Sequence, residues 1–359
     1  MKKKLFLGLL AAAAVSFTAC QKDEVLNEVQ QDEAISFSTY LGRSAQTKGS
    51  IVEEDDLQGL GFGVFAYYTG EKTMAEYAAA SPGIPATPNF MNNEKVYMED
   101  WDNDNSTNET WGYSNTKYWP NTTDEKISFY AYGPYDDPEG ASNAIAITTA
   151  AAEKPKLTYT VSEEISEHMD VLFAPAQENK TKATGTVPFA FQHALSRIEF
   201  EVKTAADYSR TATINLNSVS LTGNFYPSGT LSLGGSNVDW TEATAENKTF
   251  TITDTREVTN APRTVQTTAG STEYIMIIPQ VFEQSALSMS ISYNQIISST
   301  STPVNITKEV NPDNTFTFEA GKAYKFIISI GMNEVKFSAT VTPWVETHNG
   351  FNPGTSVTF

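Results

Sequence analysis

The sequence predicts an all-β protein built as two β-sandwiches in tandem. About a dozen short segments alternate apolar and polar residues at period two, as in Ile127, Phe129 and Ala131 against Ser128, Tyr130 and Tyr132. These segments are rich in Thr, Ser and aromatic residues and are separated by Gly, Pro or Asn, whereas a helical period is rare. The chain has 359 residues, more than one hydrophobic core usually serves, so two domains are expected.

The first element is an export signal. Lys2, Lys3 and Lys4 precede an eleven-residue apolar run from Leu5 to Val15, too short to span a bilayer stably and suited to a secretory core. Ser16-Phe17-Thr18-Ala19 then leads to Cys20, the one cysteine of the chain. Small residues before a lone cysteine resemble a bacterial lipobox, although Phe17 stands where an aliphatic residue is usual. Residues 1–19 are therefore read as a lipoprotein signal peptide, Cys20 as the lipidated residue and 20–33 as a polar, acidic tether. Lys22-Asp23-Glu24 is similar to the signal that sends lipoproteins of the Bacteroidetes to the outer face of the outer membrane.

Strands follow. Ile35, Phe37 and Thr39 alternate with Ser36, Ser38 and Tyr40. Residues 43–58, with Arg43, Lys48 and the acids Glu53 to Asp56, read as exposed and protease-accessible. Further strands are expected at "LGFGVFAYYTG", "EKVYMED", "ISFYAYG", "LTYTVS" and "DVLFAPA", with "KTMAEYAAA" (72–80) as the best helical candidate. In "VPFAFQHALSRIEFEV", Ile198, Phe200 and Val202 alternate with Arg197, Glu199 and Glu201. The second half repeats the theme through "TINLNSVSLTGNF", "EYIMIIPQ", "SMSISYNQI", "EVKFSATVTPW" and "EAGKAYKFIISI", where Gly321 suits a positive φ. Polar "ENKTKATGT" separates two strand clusters and places the domain boundary near residue 186.

Composition excludes several functions. Losing residues 1–19 removes three lysines and no acids, leaving 21 basic against 43 acidic residues, a balance near −22. Nucleic acid is not an expected partner, because phosphate binding needs clustered Lys and Arg. The histidines at 168, 193 and 348 lack metal-ligand spacing, and His193 in its apolar setting reads as packed. Asp100, Asp102 and Asp104 begin like a calcium loop, but Asn105 stands where Gly is needed and Trp111 where Glu is needed. No nucleophile elbow, phosphate loop or dinucleotide fingerprint occurs. The expectation is no enzyme, no cofactor and no metal. Tyr118, Trp119 and Trp344 could stack on sugars, but aromatics beside strands are more often core.

Several stretches in order resemble the fimbrillins, pilin lipoproteins of Bacteroidetes fimbriae. They are the lipobox tether, "AISFSTY" followed by Arg43, "YWPNTTDEKISFYAYGP", "DVLFAPA", "PFAFQHALSRIEFEV", "YIMIIPQ" and "FEAGKAYKFIISI". The resemblance implies two transthyretin-like β-sandwich domains, here 34–186 and 187–345, with residues 34–43 a removable first strand. It also implies a surface lipoprotein precursor, cut by a trypsin-like or arginine-specific protease. The cut would follow Arg43, with Lys48 as the fallback, and would remove Ile35, Phe37 and Thr39. A strand from a neighbouring subunit would fill the opened groove and add the precursor to a fimbrium. The implied partners are other copies or related pilin subunits, the processing protease, the outer membrane through the lipid, and a host protein or glycan ligand.

The tail, 346–359, offers Val357 and Phe359 in alternation, a short donor strand. That modest length leaves a tip or anchor subunit open. A monomeric glycan-binding surface lipoprotein is the alternative from another class.

Overall fold

Period-two alternation builds strands where the sequence placed them, and it gives way to continuous burial where a sheet is covered on both faces. The computed structural model describes residues 33–41, 52, 54–98, 110–135, 144–206, 208, 212–267, 272–311, 313–332, 334–344 and 355–358. The fold is all-β among these residues, with two short α-helices.

Phe62–Gly70 lies between Lys126–Gly133 and Met91–Met98 in a six-stranded antiparallel sheet that runs from Gln192–His193 through Leu172–Lys180 to Trp111–Gly112. Successive side chains point to opposite faces. Phe62, Val64, Phe129, Ala131 and Leu172 therefore enter a smaller core, while Phe65, Tyr67, Tyr130, Tyr132 and Phe173 enter a larger one. Tyr130 and Tyr132 are fully buried although the alternation assigned them to a polar face. Each hydroxyl finds an acceptor, Tyr130 on Glu178 at 2.7 Å and Tyr132 on the Asn93 side-chain oxygen at 3.0 Å.

The larger core continues into the second half. Ser196–Thr204 pairs in parallel with Lys322–Ile330, which pairs antiparallel with Val335–Pro343. Ala212–Phe225 runs between Glu246–Thr253 and Leu287–Ile297, with Thr300–Glu309 outside. Its inward Leu216, Val219 and Leu221 are buried, while outward hydroxyls pair across strands, Ser220 with Thr251 at 2.9 Å and Thr222 with Thr249 at 2.8 Å. Gly321 takes φ +66° at the turn into Lys322–Ile330, as expected.

Two contacts bear on the boundary placed near residue 186. Lys156–Thr160 pairs antiparallel with Ser228–Ser232, so one sheet draws on both sides of that position. Thr186–Ala190, just past it, buries Val187 and Phe189 in the smaller core with N-terminal strands.

Helices answer the sequence once as expected and once not. Met74–Ala79 is capped by Thr73, whose hydroxyl accepts the Glu76 N–H while the Glu76 carboxylate accepts the Thr73 N–H. Glu54–Leu60 is the correction, a helix that starts in the stretch expected to be exposed and ends at Leu60, the residue expected to begin the next strand. Leu57 is fully buried against Gly133, and the turn ends where Gly61, at φ +76°, donates its N–H to the Leu57 carbonyl.

Candidate functional site

The removable strand of the sequence reading occupies a groove. Ser36–Tyr40 makes a parallel ladder with Thr186–Ala190, in the register Phe37 to Val187 and Thr39 to Phe189. The Phe191 N–H extends this ladder by donating to the Tyr40 carbonyl at 2.8 Å. At the other end, the Ile35 N–H donates to Lys117 and the Trp119 N–H to Glu33, so residues 117–119 clamp the strand's entry.

Ile35, Phe37 and Leu41 are buried, and Tyr40 on the opposite face is 66% exposed. Thr39 is only half-buried, so the inward row gains more from Leu41 than from Thr39. Phe37 sits in an aromatic cage, with ring centroids 5.6 Å from Tyr113, 5.7 Å from Phe189, 5.9 Å from Phe129 and 6.3 Å from Phe62.

The walls are tied to one another without help from the strand. The Trp119 indole N–H donates to the Gly185 carbonyl at 3.0 Å, joining the clamp segment to the residue before Thr186–Ala190. The Tyr113 hydroxyl donates to the Ile35 carbonyl at 2.9 Å, reading backbone rather than side chain. Burial is the main reason its pKa is raised; the hydrogen bond to Lys117 opposes the shift, and Glu94 and Tyr118 add to it.

A fimbrillin-like family model matches residues 52–344. The chain belongs to the fimbrillin-like family. It is 30% identical over 200 residues to the fimbrium subunit Fim1C of Phocaeicola vulgatus, covering 53% of this chain and 49% of that one. The chain thus aligns with about half the length of that curated relative. Among solved structures, a fimbrial protein from Bacteroides vulgatus ATCC 8482 superposes with a TM-score of 0.62 at 20% identity, covering 87% of this chain and 100% of that one. A proposed cell adhesion protein from Bacteroides uniformis ATCC 8492 gives 0.51 at 17% identity, covering 87% and 99%. At these identities the two structures speak to the fold.

The remaining site residues of this fimbrillin divide into described and undescribed. Cys20, Arg43, Lys48 and Phe359 lie outside the described residues. Val357 lies in Thr355–Thr358, the edge strand of its sheet, paired antiparallel with Val335–Pro343 in the register Val357 to Ala339. Of the three aromatics offered as sugar platforms, Trp119 and Trp344 are 2% and 3% exposed and serve as core residues, whereas Tyr118 is 48% exposed. Sequence reasoning missed Leu41, Tyr113 and the Trp119–Gly185 tie. Leu41 was legible, since it continues the row 35, 37, 39; the other two depend on long-range contacts that no local pattern signals.

Proposed function

We propose that this fimbrillin is a structural subunit of cell-surface fimbriae. It is exported as a lipoprotein anchored through Cys20 to the outer membrane, trimmed by a trypsin-like or arginine-specific protease after Arg43 or Lys48, and polymerised by strand exchange. Its partners are other copies or related subunits, and its two regions form transthyretin-like sandwiches in tandem. The role is structural rather than enzymatic, supporting adhesion to a host protein or glycan.

The observation that carries this reading is the first strand held as a guest. It contributes three buried apolar side chains and one parallel ladder to a groove whose walls are joined through Trp119 and Gly185. Burying such side chains is worth roughly 1.5–3 kcal/mol each, before ordering costs. Losing the strand exposes an apolar slot lined by unpaired backbone, which a strand from another subunit can fill. The tail supplies a match. Val357-Thr358-Phe359 repeats the pattern of Ile35-Ser36-Phe37, a β-branched aliphatic, a hydroxyl and a phenyl ring.

The three described arginines are held in place, which favours a cut elsewhere. Of five in the chain, Arg43 and Arg210 lie outside the described residues, and Arg197 is 8% exposed. Arg256 and Arg263 both bond the fully buried Asp254 carboxylate, at 2.6 Å each. Burial alone would raise the Asp254 pKa, but hydrogen bonds from Arg256, the Gln266 N–H and Arg263 outweigh it and hold the group well below the usual carboxylate range.

A second reading, a tip or anchor subunit, draws on the docking of Thr355–Thr358 against its own chain, which keeps that strand from a neighbour. Digestion of the full-length Cys20→Ser chain with an arginine-specific protease separates the two. A new N-terminus at Ser44 with polymer ladders, both absent from Arg43→Ala, supports the shaft subunit. Cutting there without polymer supports the tip or anchor, and resistance to cutting rejects trimming at Arg43.

A further inference from the structure

Val52, His193 beside the groove wall, and Trp344, the residue after Val335–Pro343, meet at one cluster around the buried Asp170. Asp170, which is fully buried, accepts the His193 Nδ1 at 2.9 Å through its Oδ2. The same oxygen accepts the Val52 N–H at 3.1 Å, at the far end of the undescribed residues 42–51. Asp170 Oδ1 is buried and has no hydrogen-bond partner among the described residues. The other face of the arrangement is aromatic. The His193 ring lies flat on Trp344, centroids 4.1 Å apart and planes 1° from parallel, and the Arg197 guanidinium sits 5.2 Å from the Trp344 ring.

Position gives this cluster its meaning. His193 follows Phe191 by two residues, and Phe191 is the residue whose N–H holds the Tyr40 carbonyl at the end of the first strand. Trp344 is the last described residue before the segment leading to Thr355–Thr358. A short covalent path thus joins the groove wall to His193, and one ring stack joins His193 to Trp344, which directly follows Val335–Pro343, the strand that carries Thr355–Thr358. A stacked pair of this kind, with Trp344 buried and His193 nearly so, is closed or broken rather than stretched, because interiors are close-packed.

We propose that the Asp170–His193–Trp344 stack couples occupancy of the groove to docking of the last strand. While Ser36–Tyr40 fills the groove, the stack is closed and Thr355–Thr358 stays paired with Val335–Pro343. Emptying the groove shifts Phe191 and His193, opens the stack and frees the last strand for a second copy of this chain. The purpose of the device rests on the strand-exchange reading: it keeps an untrimmed subunit from offering its donor early. The coupling itself is a property of the monomer. It must also be reciprocal, so weakening the first strand loosens the last.

Hydrogen exchange on the uncut, full-length Cys20→Ser chain tests it. In His193→Gln, the amides of Thr355–Thr358 should exchange at least about tenfold faster, with Phe62–Gly70 unchanged as the control for global folding. Phe37→Ala should speed the same amides, and that effect should vanish in the His193→Gln background. Trp344→Leu breaks the stack without removing the partner of Asp170, and serves if His193→Gln disturbs the fold. Unchanged exchange at 355–358 in both stack variants overturns the proposal. So does a Phe37→Ala effect of equal size with and without His193. A chain that passes yet forms no polymer refutes strand exchange alone and leaves the coupling standing.

Discussion

Phe37 stacks on Phe189 with centroids 5.7 Å apart and ring planes 21° from parallel, the centre of the contact between the first strand and its groove. If the strand is held mainly by this row of side chains, truncating its largest member should nearly release it. Phe37→Ala is expected to cost about 3–5 kcal/mol, because the surrounding rings cannot collapse into the space. Urea denaturation measures the loss. Ser38→Ala, on the exposed face, should stay within about 0.5 kcal/mol of the parent.

The tie between the groove walls can be cut while a smaller aromatic ring is kept. Trp119→Phe removes the indole N–H and leaves the Gly185 carbonyl without its 3.0 Å donor. With the lost donor and the space left by the smaller ring, a cost of about 1–3 kcal/mol is expected. In trimmed protein, the same variant should bind a synthetic peptide of residues 33–41 more weakly than the parent does. Equal peptide affinity would show that the tie does not shape the empty groove.

Asp254→Asn should expose two arginines at once. Removing the charge leaves Arg256 and Arg263 around an uncharged amide, a loss on the order of 3 kcal/mol. Arginine-specific digestion followed by mass spectrometry should then find cuts after residues 256 and 263 that the parent lacks. The carboxylate has a depressed folded pKa, so the stability it contributes is present above the unfolded value and is lost as pH falls below about 4.

His168 gives stability a second pH dependence. The Met276 N–H donates to its Nδ1 at 3.0 Å, so the proton sits on Nε2 and is donated to the Ser162 carbonyl at 2.9 Å. Burial is the main reason the pKa is lowered, opposed by Ser162 and Glu167 and aided by Lys248. A base with a lowered folded pKa binds protons more readily when unfolded. Stability is therefore full above about pH 6.5 and declines as pH falls below it, by at most about 1.4 kcal/mol per unit. Denaturation at pH 7.5 and pH 5 should show this decline in the parent, and His168→Gln should flatten it.

Much of the fold could be read from alternation, because a half-buried strand must alternate. Ile198, Phe200 and Val202 were placed inward on that ground and are buried. Alternation failed for Tyr130 and Tyr132, which looked outward but face the second core, since one sheet here serves two cores. The Glu54–Leu60 helix was hidden by its acids; its buried Leu57 is one residue in a polar run and carries no period by itself. The guest strand was legible as Ile35-x-Phe37, but its cage was not. Phe62, Tyr113, Phe129 and Phe189 are 25 to 152 residues away from Phe37 in sequence and converge only through the sheet. The same is true of Asp170, His193 and Trp344, which come together from three separate segments.

The central claim is that residues Val357 to Phe359 of one subunit take the places of Ile35 to Phe37 in the next. Site-directed disulfide trapping tests it most directly. Val187 is the register partner of Phe37, so a donor residue in that place lies within disulfide reach of position 187. In the Cys20→Ser background, one protein would carry Val187→Cys and a second Phe359→Cys, mixed under mild oxidation before and after trimming. The account predicts a linked pair only after the Val187→Cys protein has lost its first strand, and none with Thr186→Cys, whose side chain points to the other face. A link formed without trimming, or equally with Thr186→Cys, or no link beside growing polymers, would contradict it.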